Sequence, residues 1–346
     1  MPGVVLGMSG GVDSSVSARL LRDRGYEVTG VYLIMNDGSE RAAEAAAANA
    51  AALGIRFITE DVRELIDEKI KKAFASAYLS GLTPNPCVAC NAGVKFPSLF
   101  RVADRLGARF VATGHYAGIR DEGGPRIVRG KDPKKDQSYF LYRLGQEELS
   151  RIVFPLADLT KAEVRKLASE LGLPSSSASD SQDVCFLPDG EHGEFVSRYA
   201  EGFPQTGLFR DASGKQLGVH EGYWRYTPGQ RRGLGVSASS RLYVQRIIPS
   251  SADVVLGTED GLYYDRVTAS DCVFPGDAPD GPFRADVCLR YTKKASPALV
   301  TPRCDGCVID FDAPQRAPAP GQSAVFYDGD KVIGGGMITG CERIER

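Results

Sequence analysis

The sequence predicts an α/β domain, a parallel sheet covered by helices, followed by a last third that is mainly β. Three observations predict it. From Val4 to about Leu106, short β-branched runs alternate with helical ones, the texture of strand–helix–strand units. A glycine pair, Gly10-Gly11, stands directly after the first such run and directly before the first helical one. Beyond about Tyr199 the helical period gives way to glycine-rich turns and alternating residues.

The elements follow in order. Val4-Val5-Leu6 reads as the first strand, and the stretch to Arg24 as a helix, with Val16 and Leu20 on one face and Gly25 as its stop. Tyr26 to Leu33 reads as the second strand, Arg41 to Leu53 as an alanine-rich helix ended by Gly54, and Ile55 to Thr59 as the third strand. Ile66, Ile70 and Phe74 mark the face of the next helix. Phe96 to Leu106 is another, ahead of a strand from Arg109 to Ala112. Thr160 and Glu163 form a capping box for a helix with Val164, Leu167 and Leu171 as its apolar stripe. Near the end, Tyr327-Asp328-Gly329-Asp330 reads as a hairpin turn between Ala324-Val325-Phe326 and Val332-Ile333.

A length of 346 residues exceeds one usual core, so two or three domains are expected. With 42% apolar and 25% charged residues the composition is that of a soluble protein. No apolar run approaches the roughly 20 residues needed to span a bilayer, and Met1 to Leu6 does not resemble a signal peptide, so no membrane partner and a cytoplasmic location are expected. A formal charge of -2 does not announce a nucleic-acid partner, which leaves any RNA contact to local patches.

The segment Ser9-Gly10-Gly11-Val12-Asp13-Ser14-Ser15 is the strongest chemical signal. Glycines between a buried strand and a helix let backbone N–H groups converge on an anion, and the helix N-terminus adds partial positive charge. The segment lacks the lysine of a γ-phosphate P-loop, and its serines supply hydroxyl donors. Asp13 is placed to orient Mg²⁺ on the phosphates of ATP. In an open parallel sheet the ligand sits beyond the carboxyl ends of the strands. The second strand ends there at Leu33, where an adenine could pack, and the strand from Arg109 runs into Thr113-Gly114-His115-Tyr116.

Eight cysteines without a secretion signal argue for thiol or metal chemistry over a disulfide scaffold. Cys87-Val88-Ala89-Cys90 follows Pro84 and Pro86, which end the preceding helix and place the pair on a loop or a new helical start. Such a pair suits redox exchange, half a metal site, or a thiol aimed at another sulfur. Cys185 lies between a polar approach and an apolar exit. Cys304-Asp305-Gly306-Cys307 reads as a hairpin turn, and Cys272, Cys288 and Cys341 as small fillers in strands.

Six blocks then resemble, in order, the bacterial MnmA (TrmU) tRNA-specific 2-thiouridylases of the PP-loop ATP pyrophosphatase superfamily. They are Gly7 to Ser15, Thr83 to Pro86, Ala112 to Tyr116, Lys135 to Leu141, Thr227 to Gly235 and Pro320 to Tyr327. The resemblance implies an α/β fold with a doubly wound PP-loop catalytic domain at 1–199, a small mixed central domain at 200–262 and a C-terminal β-barrel at 263–346. It implies adenylation of the 2-carbonyl of a wobble uridine by ATP and replacement of that oxygen by sulfur. ATP contacts would come from Gly7, Met8, Ser9, Gly10, Gly11, Val12, Asp13, Ser14, Leu33 and Gly114. By position Cys90 matches the nucleophilic cysteine and Cys185 the persulfide carrier, with release through a Cys90–Cys185 disulfide. Asn85, Pro86 and Cys87 match the segment beside the target base. His115, Lys135, Asp136, Gln137, Arg290, Tyr291 and Gln322 match tRNA contacts. The partners implied are tRNA with a wobble uridine (lysine, glutamate and glutamine acceptors) and a sulfur-relay donor or cysteine desulfurase.

The chain departs from a common family pattern in carrying Cys87 where an Asp is usual, and Gln182-Asp183 where a Thr-Gly pair precedes the later cysteine. Cys87, Cys90 and Cys185 could therefore hold three irons of a [4Fe-4S] cluster that carries sulfide, in place of a persulfide. Basic runs at Arg126, Arg129, Lys131, Lys134 and Lys135, at Arg225, Arg231 and Arg232, and at Arg290, Lys293 and Lys294 are the candidate RNA surfaces. Another PP-loop ligase or amidotransferase would need the glycine loop but not the three cysteines. A metal-stabilised RNA-binding protein would need neither turnover nor ATP cleavage.

Overall fold

The computed structural model describes residues 1–176, 184–187, 191–276 and 278–344. Gln182 and Asp183 lie outside the described residues. The first strands are β1 (Gly3–Gly7), β2 (Glu27–Ile34), β3 (Arg56–Asp61) and β4 (Phe110–Thr113). A hairpin of β5 (Ala117–Asp121) and β6 (Pro125–Arg129) precedes the short β7 (Ile152–Val153). Strands β3-β2-β1-β4-β7 form one parallel sheet in that order. Alternation along β1 sends Val4 and Leu6 into one buried layer and Val5 into the other, so both faces of the sheet are covered. One layer holds Val16 and Leu21 of the helix Val12–Asp23 with Val164 and Ala168 of the helix Lys161–Glu170. The other holds Phe96, Leu99 and Val102 of the helix Phe96–Leu106. The capping box predicted at Thr160 is present: its hydroxyl accepts from Glu163 N, and Glu163 Oε2 accepts from Thr160 N at 2.6 Å.

Two features of this half are not visible in the hydrophobic period. The helix Pro86–Cys90 runs on through a π turn, Asn91–Lys95, into Phe96–Leu106. The wider turn accommodates Pro97, which lacks an amide donor. The β5–β6 hairpin leaves the parallel sheet and pairs with the barrel, through Val128 opposite Lys331. Its basic residues Arg126 and Arg129 had read only as part of a charged run.

The chain continues with β8 (Gly207–Arg210), β9 (Gln216–His220), β10 (Tyr243–Ile248) and β11 (Asp253–Gly257), a small sheet in the order β10-β11-β8-β9. Then come β12 (Tyr263–Val273), β13 (Phe283–Cys288), β14 (Ser296–Arg303), β15 (Gly306–Arg316), β16 (Ser323–Asp328) and β17 (Lys331–Glu342). These run in the order β12-β15-β14-β13-β16-β17, and β12 also pairs with β17, which closes an antiparallel barrel. Closure removes the free edges a six-stranded sheet would expose. Val267, Val287, Val300, Ile309, Phe326 and Ile338 fill it. Cys304 lies in the tight link between β14 and β15, and Cys307 packs inside with its Sγ 3.3 Å from Cys272 Sγ. Cys288 Sγ donates to Arg290 O at 3.0 Å. Among the described residues no helix is long and apolar enough to cross a membrane.

Candidate active site

Strands β2 and β3 lie to one side of β1 and β4 to the other, so the strand order reverses between β1 and β4. The segments leaving those two strands therefore open a crevice, the usual ligand position in such sheets. Gly10 has φ +82°, and a Cβ there would lie 2.7 Å from Ala42 O, so the turn demands glycine. The loop is held open by its own hydroxyls. Ser9 N donates to Ser14 Oγ at 3.3 Å, Gly11 N to Ser9 Oγ at 3.4 Å, and Ser14 and Ser15 Oγ both donate to Gly11 O. Val12–Asp23 starts directly behind it and aims its unpaired N–H groups into the crevice. Gly114, after β4, must also be small: a Cβ would lie 3.1 Å from Ser14 N. Met8 and Leu33 are both buried, Leu33 at 8% exposure within the core, so the side chain of Leu33 is covered by protein as much as by any base.

Asp13 does not stand alone in this crevice. Lys161 Nζ lies 2.7 and 2.8 Å from its two carboxylate oxygens, and Tyr116 OH donates to Oδ1 at 2.7 Å. The side chain of Lys161 is only 13% exposed. A direct Mg²⁺ contact by Asp13 would compete with this ion pair, so the carboxylate fits a divalent ion poorly as arranged. Lys161 was not singled out from the sequence; the one local signal for it is the Thr160 capping box, which places it at the first position of a helix.

The cysteines gather on the other wall. Asn85 precedes the helix Pro86–Cys90, and proline at the first helical position suits its fixed φ. Cys87 is exposed and Cys90 is buried at 8% exposure. Asn36, just past β2, donates its Nδ2 to the Cys185 carbonyl at 3.0 Å, which brings Cys185 to the end of the sheet. Desolvation raises the thiol pKa of Cys90, with Lys95 opposing it, and raises that of Cys87, again with Lys95 opposing and the Cys90 thiol adding to the rise. Cys185 is pushed up to about 11, first by desolvation and then by the neighbouring Cys90 and Cys87 thiols, with Lys95 opposing. The ammonium of Lys95, one turn beyond Cys90, thus acts on all three sulfurs, a role the sequence reading missed. Among the described residues no three His, Cys, Asp or Glu side chains are grouped so as to hold a metal ion.

The residues matched to tRNA contacts fall into two kinds. Tyr291 is 38% exposed and packs its ring on Phe140 at 4.5 Å, and Lys135 sits in the turn after Asp132. The others are engaged internally. His115 is buried between Phe96 and Phe154 with Nδ1 2.7 Å from Thr113 Oγ1, and desolvation followed by Lys95 lowers its pKa far enough to keep it neutral. Asp136 accepts from Arg129, Gly130 N and Ser138. Gln137 takes both hydrogen bonds of the Tyr116 backbone. Arg290 Nη2 donates to Pro228 O and Ala317 O, each at 2.9 Å. Gln322 Nε2 donates to Thr83 O at 3.0 Å and Pro84 O at 3.2 Å.

A glycine-built anion cradle at the switch point of a parallel sheet, with thiols on its rim, defines an ATP-cleaving PP-loop enzyme with sulfur chemistry at hand. Residues 2–189 match the family described as tRNA methyl transferase HUP domain, 193–258 its PRC-barrel domain, and 264–338 the aminomethyltransferase beta-barrel domain. The tRNA-specific 2-thiouridylase MnmA of Clostridium acetobutylicum is 41% identical over 350 residues, 97% of this chain and 99% of the relative. MnmA 2 of Caldanaerobacter subterraneus subsp. tengcongensis is 44% identical over 354 residues, 97% of each. The chain belongs to the MnmA family of tRNA-specific 2-thiouridylases. Among solved structures, the U34-tRNA thiolase NcsA from Methanococcus maripaludis with its [4Fe-4S] cluster aligns at 20% identity and a TM-score of 0.37, over 58% of this chain and 65% of that one.

Proposed function

We propose that this chain thiolates the 2-position of the wobble uridine in tRNAs of the lysine, glutamate and glutamine type, using ATP. The observation that carries this reading is the meeting of Cys90 and Cys185 at the end of the sheet whose first loop is the anion cradle.

The chemistry follows from that meeting. The loop N–H groups and the helix terminus bind the triphosphate, and Lys161 supplies the cation that the loop itself lacks. The uridine O2 attacks the α-phosphorus, pyrophosphate leaves, and the ring oxygen becomes a phosphate ester that can depart. The terminal sulfur of a persulfide on Cys185, deprotonated, attacks C2, and AMP leaves with the old oxygen. Cys90 thiolate then attacks Cys185 Sγ. The bond between Cys185 and the transferred sulfur breaks, its electrons form the thiocarbonyl, and a Cys90–Cys185 disulfide remains. An external dithiol reduces that disulfide, and a sulfur-relay donor or cysteine desulfurase recharges Cys185. Lys95 favours the thiolate forms that both attacks require.

The [4Fe-4S] alternative asks Cys87, Cys90 and Cys185 to act as a ligand set; among the described residues no three His, Cys, Asp or Glu side chains are grouped so as to hold a single metal ion, and no step is routed through a cluster. The test is mass-spectrometric detection of 2-thiouridine in tRNA incubated with the chain, ATP and a persulfide donor, alongside iron content measured without oxygen. Iron-free active protein supports the persulfide route; activity that tracks iron content overturns it. Retained turnover of ATP by Cys90→Ser and Cys185→Ser with an acceptor other than tRNA would favour a PP-loop ligase, and no pyrophosphate release with tRNA present would favour an RNA-binding protein.

A further inference from the structure

The start of the cysteine helix is not anchored by its own sequence. Pro84 and Pro86 carry no amide donors, and the Asn85 side chain makes no cap bond. Its anchor comes from the barrel. Thr83 N donates to Pro320 O at 2.7 Å, and Gln322 Nε2 donates to the carbonyls of both Thr83 and Pro84. The two strands of chain approach so closely that a Cβ on Gly321 would lie 2.9 Å from Thr83 N, and Gly321 has φ +92°. The barrel side is rigid, because Gly321 N donates to Ile338 O and Ile338 N to Gln322 O, each at 2.8 Å. Both Gln322 Nε2 hydrogen bonds are directed at backbone acceptors 238 and 239 residues earlier, three and four positions ahead of Cys87.

We infer that Gln322 is a positioning residue for Cys90: through the carbonyls of Thr83 and Pro84 it holds the cysteine helix in the register from which Cys90 reaches Cys185. This rests on the thiolation reading above for its consequence in turnover, but the positioning itself is readable in protein free of tRNA. Cys90 is buried, so its reaction with iodoacetamide requires the helix start to open.

The experiment follows Cys90 alkylation by peptide mass spectrometry in the full chain, without tRNA, for the unaltered protein, Gln322→Ala, Gln322→Glu and Gly321→Ala. Gln322→Ala and Gln322→Glu remove the donors, and alkylation of Cys90 is expected to rise about fivefold to thirtyfold, the population shift of one to two hydrogen bonds. Gly321→Ala keeps Gln322 but forces the two segments apart, and is expected to expose Cys90 likewise. At saturating tRNA, kcat for 2-thiouridine falls about tenfold in the Gln322 variants with the tRNA KM changed less. Unchanged Cys90 alkylation with a raised tRNA KM would overturn the inference and leave Gln322 a tRNA contact only. Failure of the unaltered chain to thiolate tRNA would strike the functional reading alone, since the alkylation result stands without it.

Discussion

Lys161 Nζ lies 2.7 Å from Asp13 Oδ1 and 2.8 Å from Oδ2, so a lysine 148 residues downstream neutralises the carboxylate that follows the glycine loop. Asp13 by itself would repel a triphosphate. Paired with a largely buried ammonium, it instead holds a cation at the lip of the cradle. Lys161→Met is expected to lower tRNA-dependent pyrophosphate release by about 10²- to 10³-fold, the usual loss when one preorganised donor to developing charge is removed. Lys161→Arg is expected to retain part of the rate. A steady-state pyrophosphate assay decides it, and a Lys161→Met rate within a factor of three of the original would show the ion pair to be architectural.

Gly10→Ala meets two costs at once: a left-handed backbone and the Ala42 carbonyl 2.7 Å from the new Cβ. The conformational part alone costs about 1–2 kcal/mol. Urea unfolding is expected to show a loss of at least that size, together with a raised KM for ATP. A variant of unchanged midpoint and unchanged KM would mean that the loop relaxes without strain.

The raised pKa of Cys185 sets the pH response of its chemistry. Desolvation and the adjacent thiols hold the protonated form, and only the thiolate reacts. Alkylation of Cys185 is therefore expected to climb about tenfold per pH unit from neutrality and to level off only near pH 11, where an unperturbed thiol would level off near 8.5. Rate–pH profiles by peptide mass spectrometry measure this. In the Lys95→Met variant the cation no longer opposes the shift, so the profile moves to still higher pH.

The basic runs are less available than their sequence suggests. Arg129 is paired with Asp136 and stacked on Tyr327, Lys131 is paired with Glu163, and Arg225 with Glu194. Arg231 and Arg232 are exposed. Binding of tRNA is expected to weaken steadily from 50 to 200 mM salt, and replacing Arg231 and Arg232 by Ala is expected to reduce the log–log slope by about one to two. Filter binding across that range tests both, and a flat dependence contradicts a phosphate-driven interface.

What the sequence determined by itself is local. A buried strand, two glycines and a helix in succession favour a narrow turn, so the strand–turn–helix at Gly10 was legible, as were the Thr160 capping box and the alternating strands of the last third. Cys87 and Cys90 were legible as a pair on a loop or a new helical start, because prolines terminate what comes before, and the structure decided for the helix. The tertiary structure decided the rest, because contacts such as Lys161 with Asp13, Asn36 with the Cys185 carbonyl, and Gln322 with Thr83 join segments about 150 to 240 residues apart, and no local period encodes which of them meet. It also decided which polar residues face inward. His115 and Asp136 read as available groups in the chain, but β4 carries one beneath two phenylalanines and the β6 turn wraps the other in donors. Burial is a property of the assembled layers, and no local pattern in the chain encodes it.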